Sequence, residues 1–125
     1  MHKILVVEDS SFQRMIICDA IVGDDREILE AGHVGDALKM IKSHNPDIIL
    51  SDIFMPGLSG IDFLVKIKEL GVTIPVIIIS ADLQDAVFRE CMKLGAVAYI
   101  PKPLEGDSLA KLNAILVENF GKMPR

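Results

Sequence analysis

The sequence predicts an α/β domain: a five-stranded parallel sheet, doubly wound, with helices on both faces. Three observations lead there. Short apolar runs alternate with longer amphipathic stretches five times along the 125 residues, the order of strands joined by crossover helices. Apolar residues make up 50% of the chain with glycine left out, a high share that strands buried on both faces require. Glycines stand where helical stretches must stop. A closed eight-stranded barrel would need about twice this length.

The elements follow in order. Ile4 to Val7 reads as a buried strand, and a helix from about Ser11 to Val22 has Ser10 as N-cap and Gly23 as its stop. Glu27 to Leu29 is a short strand, and Asp36 to Lys42 lies in a second helix. Ile48 to Leu50 forms the third strand, ending at Ser51-Asp52. Ile61, Leu64, Val65 and Ile67 have helical spacing, which puts a third helix between about Gly60 and Leu70, before Gly71. Val76 to Ile79 is a β-branched run and the fourth strand. Gln84 to Leu94 is the fourth helix, closed by Gly95; Val97 to Ile100 is the last strand, and Leu104 to about Phe120 the last helix. The whole chain, 1–125, reads as one domain with a short tail at 121–125.

Composition narrows the function. Net charge is −5 with no basic cluster, so direct nucleic-acid binding, which needs a basic face, is not expected. No apolar stretch approaches the roughly 20 residues of a membrane span, and no signal-peptide pattern opens the chain. Cys18 and Cys91 stand far apart without a CxxC neighbour; two reduced thiols buried in helices are expected. A cytoplasmic location follows by elimination.

Ligands of doubly wound sheets sit beyond the carboxyl ends of the strands, where the winding reverses. Glu8-Asp9 follow the first strand, Asp52 the third, Ser80 ends the fourth, and Lys102 stands just past the fifth. Singly, each residue is ordinary, a turn former, a helix cap or a solvated amine. Jointly, three carboxylates, a hydroxyl and an amine converge on one crevice. Two like charges about 4 Å apart repel by roughly 4 kcal/mol at an effective dielectric near 20, so the carboxylates would hold a proton unless a cation sits among them. Lys102 brings one positive charge and a divalent ion two more. An incomplete set of hard oxygen ligands favours Mg²⁺, and without His or Cys zinc is not expected. An ionised Asp outside any triad points to a carboxylate nucleophile that takes up a phosphoryl group. Lys102, the metal and Ser80 would engage its oxygens.

These residues resemble the CheY-type receiver domain of response regulators over essentially the whole chain. The matching blocks are Val6-Val7-Glu8-Asp9-Ser10, Asp52-Ile53-Phe54-Met55-Pro56-Gly57 running on to Gly60, Ser80-Ala81, and Tyr99-Ile100-Pro101-Lys102-Pro103. The resemblance implies the flavodoxin-like strand order 2-1-3-4-5. It implies Asp52 as phosphoacceptor for a phosphohistidine on a sensor histidine kinase or phosphotransfer protein. It implies Mg²⁺ held by Asp9, Asp52, the Phe54 carbonyl and, mostly through water, Glu8, with Lys102 on the phosphoryl group and a cis Lys102-Pro103 bond. Ser80 would move toward the phosphate and Tyr99 turn inward behind it; the alternative is that Tyr99 is only a half-buried aromatic. This pair would remodel the surface of the fourth helix, fifth strand and fifth helix for a downstream protein, with no activity as an enzyme beyond its own phosphorylation and dephosphorylation. Glu8 and Ser80 replace the family's commoner Asp and Thr and keep the needed oxygen.

Phe54 and Asp82 flank the expected path of attacking water and are expected to tune the phosphate lifetime. Phe12 and Met15, beside the acidic residues, read by default as core; the alternative is an exposed patch that docks a kinase bundle. An unphosphorylated receiver serving as an interaction module is the main competing reading. A haloacid-dehalogenase-like phosphohydrolase would carry a second Asp where this chain has Phe54, and a flavin module would need a phosphate loop where Glu8-Asp9 stand. A stand-alone regulator, as in chemotaxis or a phosphorelay, either monomeric or dimerising on activation, is the leading expectation; a receiver excised from a longer protein would read identically.

Overall fold

The computed structural model describes residues 1–121. Its elements are β1 (His2–Val7), α1 (Ser11–Ile21), β2 (Arg26–Ala31), α2 (Val34–His44), β3 (Ile48–Ser51), α3 (Gly60–Glu69), β4 (Val76–Ser80), α4 (Asp85–Lys93), β5 (Ala98–Pro101) and α5 (Gly106–Gly121). The strands form one parallel sheet in the order β2-β1-β3-β4-β5. The winding direction therefore changes between β1 and β3, and a crevice opens beyond their carboxyl ends.

Strand side chains alternate between the two faces, so each central strand feeds two cores. Ile4 and Val6 pack with Ile17, Ile21, Leu112 and Leu116, which puts α1 and α5 on one face. Leu5 and Val7 pack with Ala37, Phe63, Leu64 and Cys91, which puts α2, α3 and α4 on the other. Burial on both faces accounts for the apolar excess. Side-chain caps fix three helices: Ser10 Oγ accepts from the Gln13 N–H at 3.2 Å, His33 Nδ1 accepts from the Asp36 N–H at 3.3 Å at the start of α2, and Ser59 and Asp62 form a reciprocal capping box at the start of α3.

The expected elements are all present, with shifted ends. β2 runs for six residues rather than three, because it is an edge strand and the polar Arg26 and Glu30 on either side of the predicted span carry no apolar signal. The fifth helix begins at Gly106 and not at Leu104. The Glu105 N–H bonds to the Pro103 carbonyl at 3.0 Å and Gly106 has φ 56°, so the chain is still turning there. Both cysteines are free thiols, but only Cys91 is buried; Cys18 is half-buried. Of the expected tail, residues 122–125 lie outside the described residues. Among the described residues, no helix is long and apolar enough to cross a membrane.

Candidate functional site at the carboxyl ends of the strands

Backbone pairing assembles the crevice. Val7 lies opposite Ser51 in the β1–β3 register, and the Asp52 N–H still bonds to the Val7 carbonyl at 3.1 Å. Glu8 and Asp52 thus leave the sheet side by side. On the other flank Ser80 lies opposite Pro101, and the Lys102 N–H bonds to the Ser80 carbonyl at 2.9 Å. The register that buries the apolar residues is the same register that brings the polar ones together.

Glu8, Asp9 and Asp52 each offer a carboxylate oxygen within 4.8 Å of the other two. Glu8 and Asp52 are buried and Asp9 is exposed. The Lys102 amine lies 3.2 Å from Glu8 Oε1 and 3.4 Å from Asp52 Oδ2. Asp52 Oδ1 accepts from the Ile53 N–H at 2.7 Å. Burial, and then the neighbouring Asp52, push the Glu8 carboxyl up to about 7, while Lys102 pulls the other way. One amine does not balance three acids. Glu8 Oε2 is buried with no hydrogen-bond partner, an orphan acceptor that a cation would satisfy. An all-oxygen set with one exposed member fits Mg²⁺, which retains waters of its own. Phe54, whose carbonyl is the remaining expected ligand, sits in the β3–α3 loop with its ring exposed.

Ser80 and Tyr99 lie behind this cluster. Ser80 is fully buried, and its Oγ accepts from the Asp82 N–H at 3.1 Å. The Tyr99 hydroxyl donates to the Asp82 carbonyl at 2.6 Å, and its ring meets Phe88 edge-on. Burial raises the Tyr99 phenol above its ordinary range. The ring is already packed inward here. Phe54, Ala81, Asp82, Leu83 and Gln84 border an open cleft of about 590 Å³, so Phe54 and Asp82 face the same cleft. The Lys102-Pro103 bond is cis, as expected.

Phe12 and Met15 are exposed, at 64% and 51%, which corrects the default reading of them as core. Counting at 3.6 residues per turn, they lie roughly 140–160° round α1 from buried Ile17. Two contacts near the site were not anticipated. Gly60 packs against the Asp52-Ile53 backbone, and Arg14 hydrogen-bonds to the Glu8 carbonyl. Arg14 could have been noticed as the lone basic residue of α1, one turn beyond the acidic pair.

Comparison with known proteins agrees with this geometry. The profile of the response regulator receiver domain matches residues 4–113. The chemotaxis protein CheY of Bacillus subtilis is 36% identical over 107 residues, covering 85% of this chain and 89% of that protein. A protein-glutamate methylesterase/protein-glutamine glutaminase of Clostridium acetobutylicum is 37% identical over 122 residues, 94% of this chain but only 35% of that protein's length. Among solved structures, the N-terminal domain of an uncharacterized protein from Wolinella succinogenes has a TM-score of 0.86 at 32% identity, covering 97% of this chain and 95% of that one. The response regulator domain of Thermotoga maritima CheB has a TM-score of 0.78 at 30% identity, covering 98% and 95%. Fold and relatives define a signalling domain of the two-component class. The chain belongs to the response regulator receiver domain family.

Proposed function

We propose that Asp52 accepts a phosphoryl group from the phosphohistidine of a sensor histidine kinase or phosphotransfer protein. The observation that carries this reading is the buried Asp52 carboxylate facing the Lys102 amine at 3.4 Å, within a cluster of two further acids. Glu8, Asp9, Asp52 and the Phe54 carbonyl would hold Mg²⁺, which when bound neutralises charge on the phosphoryl oxygens. The Ile53 N–H fixes one Asp52 oxygen, and Lys102 offers its amine to the arriving group. The N–P bond of the donor breaks as the Asp52 O–P bond forms.

Asp82 links the site to the surface. Its N–H binds Ser80 and its carbonyl binds Tyr99. A phosphoryl group that draws Ser80 Oγ forward releases the Asp82 N–H, loosens that loop and frees the Tyr99 hydroxyl. Since Tyr99 is already inside, its hydrogen bond and its contact with Phe88 of α4 change, rather than its burial. The α4–β5–α5 face would then present itself to a downstream protein. We assign the chain to one domain that works in the cytoplasm by protein contact, as a monomer or as a dimer formed on activation, without catalysing a reaction on another substrate.

Acetyl phosphate with Mg²⁺, read by intact mass, tests this proposal. One phosphoryl adduct is expected on the wild type and none on Asp52→Asn. A wild type that stays unlabelled would favour an unphosphorylated interaction module instead. Because Phe54 lies two residues after Asp52 and borders an open cleft with Asp82, Phe54→Asn is expected to change the adduct's decay rate several-fold; an unchanged rate would deny the ring any control over attacking water.

A further inference from the structure

The two acids contributed by the β1–α1 loop are joined by a single peptide bond, whose carbonyl oxygen belongs to Glu8. That oxygen accepts a hydrogen bond from Arg14 Nη1 at 2.7 Å. The other side of the same guanidinium, Nε, lies 3.0 Å from Glu30 Oε1 of β2. Glu8 is held a second time by its own N–H, which bonds to the Ala31 carbonyl at 3.0 Å. The Arg14 N–H in turn bonds to the Ser10 carbonyl at 2.8 Å. Arg14 therefore closes the loop from both ends: its backbone ties down Ser10 and its side chain ties down Glu8, with Asp9 between them.

We infer that Arg14 is a positioning residue for the cation site, setting the plane of the Glu8-Asp9 peptide and hence the separation of their two carboxylates. The inference rests on the reading of the acidic crevice as an Mg²⁺ site. The Arg14 side chain contacts the Glu8 carbonyl and not the carboxylates of the cluster; it acts through the main chain. A planar fork suits this task, because one guanidinium can be oriented by Glu30 while it donates to a carbonyl. The pair with Glu30 is more than half exposed on the acid's side and adds little stability of its own. Its use is to aim the fork. Groups that orient metal ligands from behind affect affinity on the order of 10- to 100-fold when removed.

The molecule supplies its own control. At the far end of the sheet Arg26 Nη1 donates to the Ile21 carbonyl at 2.9 Å, the same device with no metal site nearby. Mg²⁺ dissociation constants from calorimetric titration, with thermal midpoints in EDTA alongside, separate positioning from general stabilisation. Arg14→Ala and Arg26→Ala should both lower the metal-free midpoint. Only Arg14→Ala should weaken Mg²⁺ binding, on the order of 10-fold. Arg14→Lys keeps the charge but not the fork, and should recover little of the loss. Mg²⁺ affinity equal to wild type in Arg14→Ala, or weakened equally in Arg26→Ala, would overturn the inference. Full recovery in Arg14→Lys would also overturn it, by showing that charge and not geometry matters. A wild type that binds no Mg²⁺ at all would sink the parent reading along with this one.

Discussion

Gly60→Ala is expected to destabilise the domain by roughly 3 kcal/mol or more, at the upper end for an added methyl group. A Cβ at Gly60 would stand 2.2 Å from the Asp52 carbonyl oxygen, 2.8 Å from Ile53 Cα and 3.0 Å from the Asp52 carbonyl carbon. All three are backbone atoms, so no side chain can swing aside. Relief requires α3 to move away from the β3–α3 loop. That movement breaks the Gly60 N–H bond to the Ile53 carbonyl, now 2.8 Å, and unseats Phe63, Leu64 and Ile67 from the core. The same displacement drags the Asp52-Ile53 peptide, so phosphorylation from acetyl phosphate should fall together with stability. Gly57→Ala is the informative contrast. Gly57 has φ 82°, yet nothing lies within 4 Å of its added Cβ, so backbone strain alone should cost about 1–2 kcal/mol. Urea unfolding of both variants checks the ranking. A Gly60→Ala midpoint no lower than that of Gly57→Ala would mean that α3 yields freely and that the close approach is unimportant.

This pair also shows what a sequence can and cannot reveal. Gly60 is legible as part of a motif spacing after Asp52, but its reason is a contact between a helix start and a loop, which exists only after folding. The acidic crevice was legible because parallel strands end together: a polar residue following an apolar run lands on the carboxyl edge whatever the details of packing. Glu8, Asp52 and Lys102 needed only the register to meet. Arg14 needed the direction of a helix relative to a strand end, which local pattern does not encode. Phe12 and Met15 misled for a related reason. Their type reads as core, and only their angular distance from Ile17 and Ile21 shows that they belong to the solvent side of α1. The ends of β2 were lost because Arg26 and Glu30, just outside the predicted span, are polar residues of an edge strand and interrupt the apolar pattern there.

Without metal, the domain should become less stable as pH rises from about 4.5 to above 7, the reverse of ordinary acid denaturation. Glu8 carries the effect. In the folded chain its carboxyl is pushed up to about 7, first by burial and then by Asp52, whereas an unfolded glutamate titrates near 4.5. The folded state thus holds a proton that the unfolded state has released, and stability falls with pH wherever that difference persists. The contribution is complete below the unfolded value and lost as pH passes through the folded one. A gap of that size corresponds to at most about 3 kcal/mol, carried by a buried carboxyl that shares its cluster with Asp52. Mg²⁺ competes with the proton for the same oxygens, so its stabilising effect should be small near pH 5 and large near pH 8. Glu8→Gln imitates the protonated acid. In EDTA it should flatten the decline and be the more stable protein at pH 8, while responding less to Mg²⁺. Groups common to both proteins cancel in the difference. Urea unfolding at pH 5, 6, 7 and 8, with EDTA or Mg²⁺, measures every part of this. Should wild type and Glu8→Gln run parallel across that range, Glu8 would have to be ionised throughout, with Lys102 outweighing the desolvation that the buried carboxylate suffers.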